Sequence, residues 1–180
     1  MKLQGVLPAV RKMKDFEKVL QSDHSLVILL ETRIAQLPKL VQYAKQHQKK
    51  VFVHGDLING LKLDRYGLEF LVHHIKIDGI ISTRANVIAL AKQHTIYAIQ
   101  RLFAIDSSAV EKNIDLINKT KPDYVEVLPG IIPSVIKEII QSTNTPVIAG
   151  GLIKTREEVE MVLTHGAVAV TTSEASLWQR

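Results

Sequence analysis

Eight short runs of almost unbroken Val, Ile and Leu recur along this chain, and they restrict its fold more than anything else in it. They are GVLPAV near Gly5, LVILLE at Leu26 to Glu31, KVFVHGD at Lys50 to Asp56 and DGIIST at Asp78 to Thr83. IYAIQRLF at Ile96 to Phe103, DYVEVLP at Asp123 to Pro129, PVIAGG at Pro146 to Gly151 and AVAVTTS at Ala167 to Ser173 complete the set. A strand with one wet face alternates apolar and polar residues. These runs are apolar on both faces, the habit of parallel strands covered on each side.

Helical patterns fill the intervals. In TREEVEMVLTHG, Val159, Val162 and Leu163 fall at helical spacing, Thr155 and Glu158 form a Thr-x-x-Glu capping box, and Gly166 can close the helix in a left-handed conformation. SSAVEKNIDLINKTKPD repeats the design, with Ser107 or Ser108 as the expected cap, Val110, Ile114 and Ile117 as one stripe, and Pro122 as the stop. RANVIALAKQH and PSVIKEIIQS follow suit, Pro133 suiting a first helical turn where its missing N–H costs nothing.

Alternating strands and helices, with no long linker or change of composition, predict one domain over residues 1–180 with parallel strands joined by crossover helices. With eight strands the natural closure is a (β/α)8 barrel of the TIM-barrel type. At 180 residues the chain is short beside the roughly 250 typical of that fold. The helices must therefore be truncated, and the last, after Glu174, has room for about a turn. An open doubly wound sheet, with a strand or two misread, is the alternative.

Closure would gather every strand C-terminus at one face, whatever the order in sequence. The polar residues at those ends are Glu31, His54, Asp56, Thr83, Arg101, Glu126, Gly150, Gly151, Thr171, Thr172 and Ser173. In KVFVHGD, His54 and Asp56 share a strand face because side chains alternate, and Gly55 between them leaves room for a close approach. Glu126 is a charge inside an otherwise apolar strand and needs a partner such as Arg101. Barrel loops after the seventh and eighth strands, with the N-terminus of a short extra helix, commonly cradle phosphate. Gly150, Gly151, Thr171, Thr172 and Ser173 occupy those places, with Lys154 near enough to add charge.

The rest of the composition works by exclusion. The chain has no cysteine, which removes disulfides, thiolate zinc sites and cysteine nucleophiles. It carries no P-loop, G-x-G-x-x-G, H-E-x-x-H, nucleophile elbow, RNP-like or zinc-finger pattern, and no strand end offers a Schiff-base lysine. No segment reads as a signal peptide or membrane span, so the expectation is a cytoplasmic protein with no membrane partner. The formal charge of +5 favours an anionic partner, nucleic acid or phosphate, without choosing between them. RKMK at Arg11 to Lys14, KQHQKK at Lys45 to Lys50 and KTK at Lys119 to Lys121 read singly as solvated faces; together they can hold an RNA backbone.

The words HGDLINGLKLDRYGLEFL, DGIISTRANVI, QRLFAIDSSAVEK, PDYVEVLPGIIP, AGGLIKTREEVE and AVAVTTSEASLW, in that order, resemble the glycerol uptake operon antiterminator regulatory proteins of Gram-positive bacteria. The resemblance runs from about Leu7 to Trp178. It implies a single (β/α)8-like domain that responds to glycerol 3-phosphate, binds the leader of a glycerol-catabolism messenger RNA and prevents a terminator hairpin, without turnover, metal or cofactor. Combined with the strand-end reading, it would seat the phosphate over Gly150, Gly151, Thr172 and Ser173. Glu31, Glu126 or Asp56 would then accept hydroxyl hydrogens, and Arg101 would balance charge. The alternative is a small barrel enzyme acting on a phosphorylated three-carbon or sugar substrate through Glu31, His54, Asp56 and Glu126. The RNA-binding residues are not legible, and a homo-oligomer is left open.

Overall fold

The structure, a computed structural model, describes residues 2–179. In chain order its elements are β1 (Gly5–Val10), α1 (Met13–Leu20), β2 (Leu26–Leu29), β3 (Thr32–Arg33), α2 (Leu37–Gln46), β4 (Lys50–His54) and β5 (Ile58–Asn59). Next come α3 (Arg65–Glu69), which runs on as π-helix through Phe70–Ile75, then β6 (Gly79–Ser82), α4 (Ala85–Ala91) and β7 (Tyr97–Phe103). α5 (Ser107–Thr120), β8 (Tyr124–Leu128), α6 (Pro133–Thr143), β9 (Val147–Gly150), α7 (Arg156–Thr164) and β10 (Ala169–Thr172) complete it, with 3₁₀ turns at Gly55–Leu57 and Ala175–Leu177.

Eight strands close into a barrel in the order β1-β10-β9-β8-β7-β6-β4-β2. Each contains residues of one of the eight apolar runs, and the last helix is the single 3₁₀ turn at Ala175–Leu177. β3 and β5 pair in a separate two-stranded parallel sheet, Thr32 opposite Ile58 and Arg33 opposite Asn59. At two residues each they are too short to show any periodicity.

The chain forms two compact units, one built from the segment up to Leu7 and from Ile99 onward, the other from Pro8–Ala98. In the first, β7, β8, β9 and β10 lie side by side, Arg101 opposite Glu126, Val127 opposite Ala149 and Thr171 opposite Gly150. One face of these strands, with Val125, Val127, Val147, Ala149 and Val170, packs on Val110 and Ile117 of α5, Ile136 and Ile139 of α6, and Val159 and Val162 of α7. Because side chains alternate along a strand, Glu126 and Thr171 must point to the other face. Pro133 opens α6 as expected, and the α7 capping box forms in both directions between Thr155 and Glu158. Gly166 follows α7 at φ +106°. The α5 cap is Asp106 rather than Ser107 or Ser108. Its carboxylate accepts the Ala109 N–H at 2.8 Å, which puts both serines inside the first turn.

In the second unit β4 is flanked by β2 and β6, with Val27 opposite Val51 and Val53 opposite Ile80. Phe16, Val19 and Leu20 of α1 and Leu37, Val41 and Ala44 of α2 are buried. The strands here end sooner than their apolar runs suggest. β2 stops at Leu29, leaving Glu31 exposed beyond it, and β4 stops at His54. The chain then turns into the 3₁₀ segment, so His54 and Asp56 do not share a strand face: His54 is 2% exposed and Asp56 lies at the surface. Gly55 is required by the protein's own core. A Cβ there would stand 2.6 Å from Leu63 Cδ2 and 2.8 Å from Ile80 Cδ1.

Candidate functional site

Of the eleven strand-end residues, the ten expected to hold the ligand, all but Thr83, fall into both units, Glu31, His54 and Asp56 in one and Arg101, Glu126, Gly150, Gly151, Thr171, Thr172 and Ser173 in the other.

Glu126 is the centre of the second set. Its side chain, 2% exposed, accepts the Arg101 Nε–H at 2.7 Å on Oε2 and the Thr171 hydroxyl at 2.7 Å on Oε1. The expected Arg101 partnership is therefore present. It follows from the cost of leaving a carboxylate dry and alone. The Thr171 bond links β10 to β8 across β9, and β9 presents Gly150 beneath it. A Cβ on Gly150 would lie 2.6 Å from Thr171 Oγ1 and 3.1 Å from Glu126 Oε1. Absence of a side chain at Gly150 thus makes room for an internal hydrogen bond. Its carbonyl accepts the Gly130 N–H, fixing the loop after β8.

The neighbouring hydroxyls are also engaged. Thr172 donates to the Ile153 carbonyl at 3.1 Å, and its backbone carbonyl accepts the Trp178 indole N–H at 3.0 Å. Glu174 caps the 3₁₀ turn, accepting from the Ser176 hydroxyl at 2.9 Å, so a carboxylate already sits where an anion would approach that turn. Gly151, at φ +70°, and Ser173 are exposed, as is Lys154, whose N–H donates to Glu158 Oε2 at 2.7 Å.

In the Pro8–Ala98 unit, Asp56 latches the segment after β6. Its Oδ1 accepts the Ser82 hydroxyl at 2.8 Å and Arg84 Nε–H at 3.0 Å; Oδ2 accepts the Thr83 N–H at 2.7 Å and Thr83 hydroxyl at 3.2 Å. Burial pushes this carboxyl upward, but the Thr83 N–H, the Ser82 hydroxyl and Arg84 together outweigh it and hold the group below its ordinary 3.8. Asp56 thus stays ionised and spends its acceptor capacity on its own chain.

Glu31 has different company. It lines an open cleft of about 320 Å³ with Arg11, Thr32, Arg33, Gln36 and Asn59. Neither guanidinium has an ion-pair partner among the described residues. Sequence reasoning missed five of these six. Arg11 lay in a run read as a solvated face, and Thr32, Arg33 and Asn59 sit on strands too short to announce themselves. No group of three or more His, Cys, Asp or Glu side chains able to hold a metal occurs among the described residues, and no helix there is long and apolar enough to cross a membrane.

Residues 6–178 match the model of the glycerol-3-phosphate responsive antiterminator family. The chain belongs to this family. Among solved structures it is similar to the glycerol uptake operon antiterminator regulatory protein of Listeria monocytogenes, at 52% identity and TM-score 0.95 over 99% of this chain and 96% of that one. A glycerol uptake operon antiterminator-related protein of Thermotoga maritima is 34% identical at TM-score 0.89, covering 99% of this chain and all of its own. The deoxyribose phosphate aldolase of Aeropyrum pernix, at 12% identity and TM-score 0.72 over 96% and 86%, shares the fold alone. The antiterminator family accounts for the long sequence words, which a shared barrel does not.

Proposed function

We propose that this protein is a metabolite-gated RNA-binding regulator of the cytoplasm. It takes up glycerol 3-phosphate and binds the leader of a glycerol-catabolism messenger RNA, keeping a terminator hairpin from forming, with no turnover of its ligand. The observation that carries this reading is the family match across residues 6–178. The charge of +5 supports it, because RNA affinity rests on neutralising backbone phosphates. A ligand gates such binding only by favouring one state over another through differential affinity.

Titrating leader RNA with and without glycerol 3-phosphate, over a series of salt concentrations, tests the proposal. The expected result is ligand-enhanced binding that weakens steeply with salt. Binding that is absent or indifferent to salt overturns the RNA reading. Product formation from phosphorylated glycerol compounds, lost on replacing Glu31 and Asp56 by Ala, overturns it in favour of an enzyme.

Of the ten effector residues expected from sequence, Gly151 and Ser173 are the exposed members after β9 and β10, and Glu31 is the exposed member beside two arginines. A phosphate needs donors that are not already spent, and the Thr171 and Thr172 hydroxyls are spent on Glu126 and the Ile153 carbonyl.

A further inference from the structure

The cleft of Arg11, Glu31, Thr32, Arg33, Gln36 and Asn59 brings two guanidiniums, a carboxylate, two amides and a hydroxyl to one open cavity. Its volume of about 320 Å³ admits a small molecule. Exposed arginines are ordinary in themselves. These two line one cavity and are not neutralised by any acid among the described residues, although Glu31 shares the lining. The wall is built rather than accidental. Thr32 and Arg33 pair with Ile58 and Asn59 in the β3–β5 sheet, and the Ile34 N–H donates to the Asn59 carbonyl at 2.9 Å. Gln36, also in the lining, is the N-cap of the ten-residue α2, which has no side-chain cap and no acid in its first turn. By contrast α5 and α7 are closed by Asp106 and by Thr155 with Glu158. The positive end of the α2 dipole thus meets no acid of its own first turn, as is also the case for α4 and α6.

We propose that this cleft is the effector site, Arg11 and Arg33 holding the phosphate and Glu31 accepting a hydroxyl of a three-carbon phosphorylated polyol. The assignment rests on the glycerol 3-phosphate reading above. A phosphate monoester carries about two negative charges at neutral pH, which two guanidiniums match, each presenting a planar fork to the phosphate oxygens. Phosphate alone would be opposed by Glu31; a ligand that also brings hydroxyl donors turns that carboxylate into a specificity element. The amides of Gln36 and Asn59 and the Thr32 hydroxyl supply further donors and acceptors for the polyol. A free anion without hydroxyls therefore binds more weakly than the esterified one.

Calorimetric titration with glycerol 3-phosphate, glycerol and inorganic phosphate decides the matter. The wild type is expected to bind the ester far more tightly than either fragment. Arg11→Gln and Arg33→Gln should each weaken that binding about tenfold, and the double variant more, with melting temperature unchanged because both side chains are exposed. Glu31→Gln should weaken the ester while sparing or improving inorganic phosphate. Gly151→Ala and Ser173→Ala should keep wild-type affinity. A folded R11Q/R33Q variant that binds the ester as the wild type does overturns the assignment. Loss confined to the Gly151 and Ser173 variants overturns it too, placing the phosphate after β9 and β10. Normal ester binding with lost leader-RNA binding in R11Q/R33Q makes the cleft an RNA contact instead. A wild type that binds no glycerol 3-phosphate defeats the underlying reading, and is distinguished by the behaviour of the unmodified protein.

Discussion

Glu126, inside the apolar β8, and Arg11, directly after the apolar β1, are both charged, yet their surroundings are opposite. The buried carboxylate meets a guanidinium at 2.7 Å and a hydroxyl at 2.7 Å, and a glycine on the intervening strand makes room for the second contact. Around Arg11 and Arg33 there is an open hollow, a helix start with no side-chain cap and no ion-pair partner among the described residues. A charge whose needs are met by its own chain holds the fold and is insensitive to ligand. A charge whose needs are unmet leaves the fold alone and answers to whatever arrives.

The comparison makes graded predictions. Arg101→Met strands a buried carboxylate and should cost about 3–5 kcal/mol of stability in chemical denaturation, the penalty of breaking a buried pair from one side. A cost under about 1 kcal/mol would mean that the Glu126 region is not the closed network described. Gly150→Ala drives a methyl between Thr171 and Glu126 and should lose about 1–3 kcal/mol, the scale of an overpacked core; a neutral result would show that the strands yield there.

Asp56→Asn weakens four hydrogen bonds, of which Arg84 supplies one, and should cost about 1 kcal/mol. Its pH signature is directional. The folded carboxyl titrates below its ordinary 3.8, so its contribution is complete above that value and disappears as acid takes the pH down through the folded pKa. Subtracting the Asp56→Asn melting curves from the wild type between pH 2 and pH 6 should show the difference fading at the acid end. A constant difference would remove Asp56 from the acid response. Smallest of all, Arg33→Gln should change stability by no more than about 0.5 kcal/mol while altering ligand affinity, the inverse of Arg101→Met.

The same contrast explains what the sequence revealed. Strands covered on both faces write themselves as unbroken apolar runs, and a Thr-x-x-Glu start needs only four residues to be seen, so the barrel and the α7 cap were legible. Glu126 was legible as a charge that demanded a partner. Gly150 was legible only as a place without a side chain, since a glycine before a gap for a ligand and a glycine beneath a hydrogen bond between the flanking strands look alike until those strands are placed. His54 and Asp56 were paired on the assumption that β4 continues, which the 3₁₀ turn at Gly55 prevents. Arg11 resembled its lysine neighbours because nothing local distinguishes a solvated cation from one that shares a cavity with a residue on β3.

The β3–β5 ribbon carries a mechanical implication. Arg33 and Asn59, which belong to loops following different barrel strands, are stitched through main-chain bonds, so those loops cannot swing independently. Whatever tugs on one side chain hauls both excursions of the chain together, and a binding event felt by a single arginine is broadcast over two separate stretches of the rim.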